Sequence, residues 1–262
     1  MTLPVEIEVV LSLGEPLPEV DVWLIIDILR ATTVMVRWFE LGGAELYPFD
    51  SVEGARAAAS RLSSDGRAPL LMGERNAVAP PGFDLGNSPS ALTSELVRRH
   101  PCAVMATTNG TRSLLTAAEE GVPVLAACAR NAAAVLNAAL ARGCRLGLFC
   151  AGREGRPSWD DTLCAGMLVE ALQSVLPVRL TDAARLALLV WNSSSELLAS
   201  LLTADHARSL EALGFGADIA FAAQTDVARS VPELRETESS GVVLRDAFSS
   251  DTPCVVRVRE GV

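Results

Sequence analysis

The stretch Val22-Trp-Leu-Ile-Ile-Asp27-Ile-Leu-Arg30-Ala-Thr-Thr33 decides how this chain is read. Five consecutive apolar residues match a strand buried on both faces, as in the interior of a parallel sheet. Asp27 follows at once, where packing gives no reason for a carboxylate. The period then changes. Residues 32–41 read as a helix that stops at Gly42-Gly43. Strand, charged turn and helix make a βα unit, and in open α/β sheets ligands gather at the carboxyl ends of strands.

The same alternation extends outward. Strand-like runs occupy residues 5–11, 44–49, 69–72, 103–106, 122–127 and 145–150, and helical stretches occupy 52–62, 90–99, 111–120, 132–141 and 158–176. Helices are expected on to about residue 229, with one or two strands in 242–258. This is an α/β pattern with a mainly parallel sheet and antiparallel strands at its edges near the termini. A single domain of 1–262 is expected, with lobes near 1–125 and 126–262 as its subdivision. Strand–Arg30–helix–Gly43–strand echoes strand–Arg130–helix–Gly143–strand, which suggests two intertwined βα repeats.

Composition removes several function classes. The 262 residues carry a net charge of −10, and all 22 basic residues are Arg. Without Lys there is no Walker-A phosphate loop and no pyridoxal Schiff base. Two His, at 100 and 206, exclude three-histidine zinc sites. An acidic chain repels nucleic acid and anionic membranes, so neither is an expected partner. No apolar run reaches 18 residues, and the first residues lack the basic and apolar regions of a secretion signal. Six Cys without a Cys-x-x-Cys pair suit small core residues in a reducing cytoplasm. A mean hydropathy of +0.30 favours a homo-oligomer.

Four segments can carry chemistry. In the first, Asp27 suits a cation and Arg30 an anion, while Thr32 and Thr33 offer hydroxyls and helix-start amides; the plainer reading is a capped helix start with a surface ion pair. The second runs from Gly73-Glu74-Arg75-Asn76 to Gly82-Phe-Asp84-Leu-Gly-Asn87-Ser-Pro89, a polar loop long enough to be functional or merely a connector. The third, Thr107-Thr108-Asn109-Gly110-Thr111, suits an anion-binding nest or a capped helix. The fourth joins Cys150-Ala-Gly152-Arg153 to Ser158-Trp-Asp160-Asp161. Its carboxylates suit either the helix dipole or a hard divalent cation. Cys150-x5-Arg156 also has the spacing of a cysteine-phosphatase loop.

In this order, with Arg130-Asn131-Ala132 and Cys164-Ala-Gly166, these strings resemble the 2-phosphosulfolactate phosphatase family from about residue 26 to 168. His206 and Leu213-Gly-Phe-Gly-Ala-Asp218 resemble the family's C-terminal features. The resemblance implies a three-layer α/β/α fold and a magnesium-dependent acid phosphatase. Its reaction would release phosphate from 2-phosphosulfolactate to give 3-sulfolactate, a step of coenzyme M biosynthesis in methanogens. Where the family pattern has Glu-Asp, this chain has Asp160-Asp161, which shortens one arm.

The expected site follows. Asp27, Glu74 and Asp161, assisted by Asp160 or Asp84, would hold Mg²⁺. Asp27, Arg30 and Asp161 would be catalytic. Arg30, Thr32, Thr33 and the turn Thr107, Thr108, Asn109, Gly110 and Thr111 would grip the phosphoryl group. Arg75, Arg130 or Arg153, with Asn76, Asn87, Asn131 and Gly152, would take the rest of a small polyanion, since guanidinium forks meet oxyanions in bidentate geometry. The attacking group is water or Asp27 itself. Two alternatives stand beside this: a phosphatase on another small phosphorylated acid, including a Cys150-x5-Arg156 thiol route, and a non-catalytic small-anion binding protein.

Overall fold

The computed structural model describes residues 4–194, 196–236, 241–248, 252 and 255–256. In chain order the first half forms β1 (Val5–Val10), β2 (Val22–Ile26), α1 (Ala31–Glu40), β3 (Glu45–Phe49), α2 (Val52–Ser64), β4 (Leu70–Gly73), α3 (Ser94–Arg99), β5 (Cys102–Ala106), α4 (Gly110–Ala118) and β6 (Val124–Ala127). The second half forms α5 (Ala132–Leu140), β7 (Arg145–Cys150), α6 (Trp159–Gln173), β8 (Val178–Leu180), α7 (Asp182–Asn192), α8 (Leu197–Leu201), α9 (Asp205–Ala212), α10 (Gly216–Ala222), β9 (Pro232–Glu236) and β10 (Val242–Asp246).

Among the described residues these strands form one mixed sheet, in the order β4-β5-β3-β10-β9-β6-β2-β7-β1-β8. Two blocks are parallel throughout: β4-β5-β3, and β6-β2-β7-β1-β8. The antiparallel pair β9–β10 is spliced between them, not set at an edge. It meets β3 at Leu46↔Leu244 and β6 at Leu125↔Glu233, one registered pair on each side.

Helices cover both faces, giving three layers. Trp23 and Ile25 of β2 pack with Met35 and Trp38 of α1 and Leu114 of α4. Leu24 and Ile26 point the other way, into Val135 and Leu136 of α5 and Leu163 and Leu168 of α6. A side-chain period of two thus feeds both cores from one strand. The echoing units place α1 and α5 on opposite faces of this block.

Three sequence expectations shift. β8 lies in a stretch expected to be helical; three half-exposed edge residues are too short to show a period. β9 opens on Pro232, which donates no ladder bond and conceals the strand. The helix expected over 90–99 divides, because Thr93 caps α3 by accepting from Leu96 N at 3.2 Å. Of the terminal stretch 242–258, residues 249–251, 253–254 and 257–258 lie outside the described residues.

Register sets up the site. Ile26 pairs with Ala127 on one side and Cys150 on the other, so Asp27, Cys128 and Ala151 leave the sheet abreast.

Candidate active site

The turn after β2 is tied by its own hydroxyls. Thr32 Oγ1 donates to Asp27 O (2.9 Å), and Thr33 Oγ1 donates to Ile28 O (2.7 Å). Both threonines are fully buried, so they shape the turn and do not reach a ligand. Asp27 Oδ1 accepts from Ala31 N (3.1 Å). Oδ2, which makes no hydrogen bond among the described residues, lies against Gly110. A Cβ there would stand 2.8 Å from Oδ2, so only glycine lets the start of α4 approach this closely.

Asp161 is an amide clamp. Ser158 caps α6, and from the first turn Asp161 accepts from Ile28 N and Gly152 N, each at 3.0 Å. It thereby fastens the turn after β2 to the turn after β7. Its neighbour Asp160 accepts a hydrogen bond from His206 Nδ1 through Oδ2 (3.2 Å), while Oδ1 is buried with no partner among the described residues. Burial, reinforced by the Asp160 and Glu74 charges and opposed by His206 and the Ala31 amide, raises Asp27 from 3.8 to about 6. Burial likewise pushes Asp161 well above its ordinary value, with the Asp160 and Asp27 charges adding to it.

The opposite wall comes from the β4 and β5 ends. Glu74 Oε1 accepts from Thr108 N and Oγ1 (both 2.8 Å), and Oε2 accepts from Ala77 N (2.9 Å). With both oxygens engaged, Glu74 braces two loops. Arg30 reaches across with NH1 on Asp218 Oδ2 (2.9 Å) and NH2 on Ala77 O (2.7 Å). Between the walls lies a cleft of about 580 Å³. Of the expected residues, Asp27, Arg30, Glu74, Asn76, Asn87, Thr108, Asn109 and Arg153 line it. Asn87 is nearly buried, and its Oδ1 has no partner.

Other expected residues lie elsewhere. Thr107 and Thr111 bond to one another and are buried (Oγ1 to Oγ1, 3.1 Å). Gly110 and Gly152 contribute backbone geometry; Gly152 adopts φ +66° and offers its N–H to Asp161. Arg75 turns outward to Asp50 O, and exposed Asp84 caps Leu71 N (2.9 Å) beside a separate surface recess. Arg130 is consumed by Glu40 (2.9 Å), Gln224 and the Phe221 ring 3.9 Å below its guanidinium. Asn131 bonds Cys128 N, Ala126 O and Ser230 O. Cys150 is fully buried, and burial holds its thiol well above its ordinary value, so the cysteine-phosphatase route lacks its thiolate.

The cleft also contains His206, Arg112 and Ser209. In the sequence His206 is marked only as one of two histidines and by the resemblance of the C-terminal part. Its signal was its scarcity, since the chain has one other His. Arg112, in the first turn of α4, has no ionic partner among the described residues.

Among the described residues no three His, Cys, Asp or Glu side chains converge into a set that holds a metal unaided. What remains is Asp27 Oδ2 in the cleft lining and the buried, unpartnered Asp160 Oδ1, which lies outside that lining but close enough for its charge to act on Asp27. Two carboxylate oxygens, completed by water and a phosphate, suit a small hard cation.

The strand ends of this α/β sheet set carboxylates and a histidine beside guanidiniums and a helix N-terminus, and the family that its sequence matches makes the chain a phosphoric monoester hydrolase. The chain belongs to the 2-phosphosulpholactate phosphatase family, whose model matches residues 13–237. A protein of Thermus thermophilus named as a probable 2-phosphosulfolactate phosphatase is 37% identical over 89% of this chain and 96% of its own. One of Deinococcus radiodurans with the same name is 37% identical over 82% and 88%. A Synechococcus protein, again so named, is 38% identical over 74% and 80%.

Proposed function

We propose that this protein hydrolyses 2-phosphosulfolactate to 3-sulfolactate and inorganic phosphate, in the sulfolactate and coenzyme M setting that the resemblance implies. One observation carries the reading. Around one cleft, Arg30, Arg112, Arg153 and the start of α4 stand among Asp27, Glu74, Glu154 and His206. In a chain of charge −10, three arginines beside a helix start, with both Glu74 oxygens already taken by Thr108 and Ala77, suit a compact ligand with several anionic arms.

The phosphoryl group would lie between Arg30 and the start of α4, where Asn109 makes no side-chain cap and Thr107 Oγ1 takes only the Thr111 amide. Asp27 Oδ2 and Asp160 Oδ1 would hold Mg²⁺, which when bound neutralises phosphoryl oxygens. Asp27 orients the attacking water. His206, held through Nδ1 by Asp160, presents Nε2 to the cleft and protonates the departing sulfolactate oxygen. Arg112, Arg153 and Asn87 take the sulfonate and carboxylate.

The test compares phosphate release from 2-phosphosulfolactate and 2-phospholactate, with Mg²⁺ and with EDTA. The expected result is a preference of about tenfold or more for the sulfonate, lost in EDTA. Equal rates on both would remove the sulfonate assignment. Tight sulfolactate binding without turnover would make the protein a binding module. A phosphorylated Asp27 peptide from an acid-quenched turnover would make Asp27 the nucleophile in place of water.

A further inference from the structure

Arg30 can act on a phosphoryl group only if its guanidinium is held in one place. Its anchor is Asp218, from α10, 188 residues along the chain. Both side chains are almost completely buried, at 2% and 1% exposure. Asp218 Oδ2 takes Arg30 NH1 at 2.9 Å, and Oδ1 accepts from Ser88 Oγ and Ser90 Oγ, each at 2.6 Å. The Phe215 ring lies 4.4 Å from the guanidinium carbon, and Ala77 O accepts from NH2. Three segments that wall the cleft thus meet on one carboxylate: the turn after β2, the loop after β4, and the α9–α10 corner. Ser88 also follows Asn87, which lines the same cleft and whose Oδ1 is buried without a partner.

We infer that Asp218 is a positioning residue for the phosphatase reaction, one that fixes Arg30 for the phosphoryl group and Ser88 for Asn87 without itself touching substrate. The inference rests on the proposed placement of the phosphoryl group at Arg30. A carboxylate suits the post because it only accepts, and all three side chains around it donate. Asparagine serves in part. Its oxygen can face Arg30 while its NH₂ meets the serine hydroxyls, which rotate to accept.

The experiment is a double-mutant cycle on Asp218→Ala and Arg30→Ala, with Asp218→Asn alongside. The readouts are kcat and KM on 2-phosphosulfolactate and p-nitrophenyl phosphate, the Kd for inorganic phosphate by calorimetry, and Tm. Misplacing Arg30 by about 1 Å is expected to lower kcat/KM roughly 100-fold in Asp218→Ala, with phosphate binding weakened to the level of Arg30→Ala. Asp218→Asn should recover most of it, and the double variant should lose no more than Arg30→Ala alone. Independent, multiplying losses would overturn the inference, as would unchanged phosphate binding in Asp218→Ala. If Asp218→Ala does not fold, Asp218→Asn with Ser88→Ala carries the same cycle. Should the wild type act on p-nitrophenyl phosphate but not 2-phosphosulfolactate, the substrate assignment falls while the coupling is still read. Should it act on neither, phosphate binding alone decides the coupling.

Discussion

Gly110→Ala tests the closest approach in the site. Gly110 opens α4, where alanine is ordinarily the better helix former by about 1 kcal/mol. Here the added Cβ would stand 2.6 Å from Ala31 Cβ, 2.8 Å from Asp27 Oδ2 and 3.1 Å from Asp27 Cβ. Carbon atoms rest about 3.5–4.0 Å apart, so α4 must retreat from the β2–α1 turn by about 1 Å. Forcing a methyl into such a space costs about 1–3 kcal/mol, which outweighs the propensity gain. At this chain length each kcal/mol lowers Tm by roughly 2–4 °C. The same retreat opens the space between Asp27 and the α4 amides, and a displacement of that size removes about 100-fold from kcat/KM. Gly216→Ala is the control. Gly216 likewise begins a helix, but its Cβ would meet only Glu211 Cγ at 3.7 Å, so Tm should hold or rise. Melting curves and kcat/KM for the two variants decide the matter. A Gly110→Ala enzyme as stable and as active as wild type would refute both the packing and the placement of the phosphoryl group beside it.

The remaining predictions concern charge and burial. The raised Asp27 carboxyl means that the folded chain binds a proton more tightly than the unfolded chain between pH 3.8 and about 6; stability therefore falls as pH rises through that window, and the full penalty is present above it. In EDTA, Asp27→Asn should out-melt wild type at pH 7 by the equivalent of up to about 3 kcal/mol and converge with it near pH 4; a constant offset across the range would contradict this. Cys150→Ala should keep kcat/KM within about threefold, because a buried protonated thiol is no nucleophile, and loss of turnover in a folded variant would restore the thiol route. Arg130→Ala removes a buried guanidinium from Glu40, Gln224 and the Phe221 ring, though Glu40 keeps Arg37 at 3.2 Å, and should lower stability by about 1–3 kcal/mol in denaturant titrations, with KM unmoved; a raised KM would return Arg130 to the substrate.

The local signals explain which parts were legible. Asp27 and Arg30 stood out because a charged turn breaks a fully apolar strand, and Glu74, Asn76, Thr108 and Asn109 follow strand ends in the same way. Arg130 has that same local pattern and a different fate. Its partners Glu40 and Gln224 lie 90 and 94 residues away, and Asp218 lies 188 from Arg30. Nothing within either turn records which distant carboxylate will meet it. Both arginines stack on a phenylalanine flanking or within α10, Phe215 in one case and Phe221 in the other, so the position of one short helix separates cleft from core. Asp161 had the right neighbourhood but a different task. Its two oxygens bind amides from two strand ends, a job visible only once β2 and β7 are side by side.

The absence of lysine connects composition to this site. Desolvation drives the Asp27 and Asp161 carboxyls toward their neutral forms, and the same medium would strip the proton from a buried ammonium. A guanidinium keeps its charge at any working pH and needs less hydration. Arg30 is buried to 2% exposure against the cleft, with one N–H on Asp218, one on Ala77 O and a ring beneath it. Lysine could match neither the fork nor the stacking, and its charge would depend on pH just where the carboxylates already titrate. An arginine-only wall therefore stays cationic while the acids opposite change state. Anion binding and acid chemistry can then occupy the same cleft without sharing a titration.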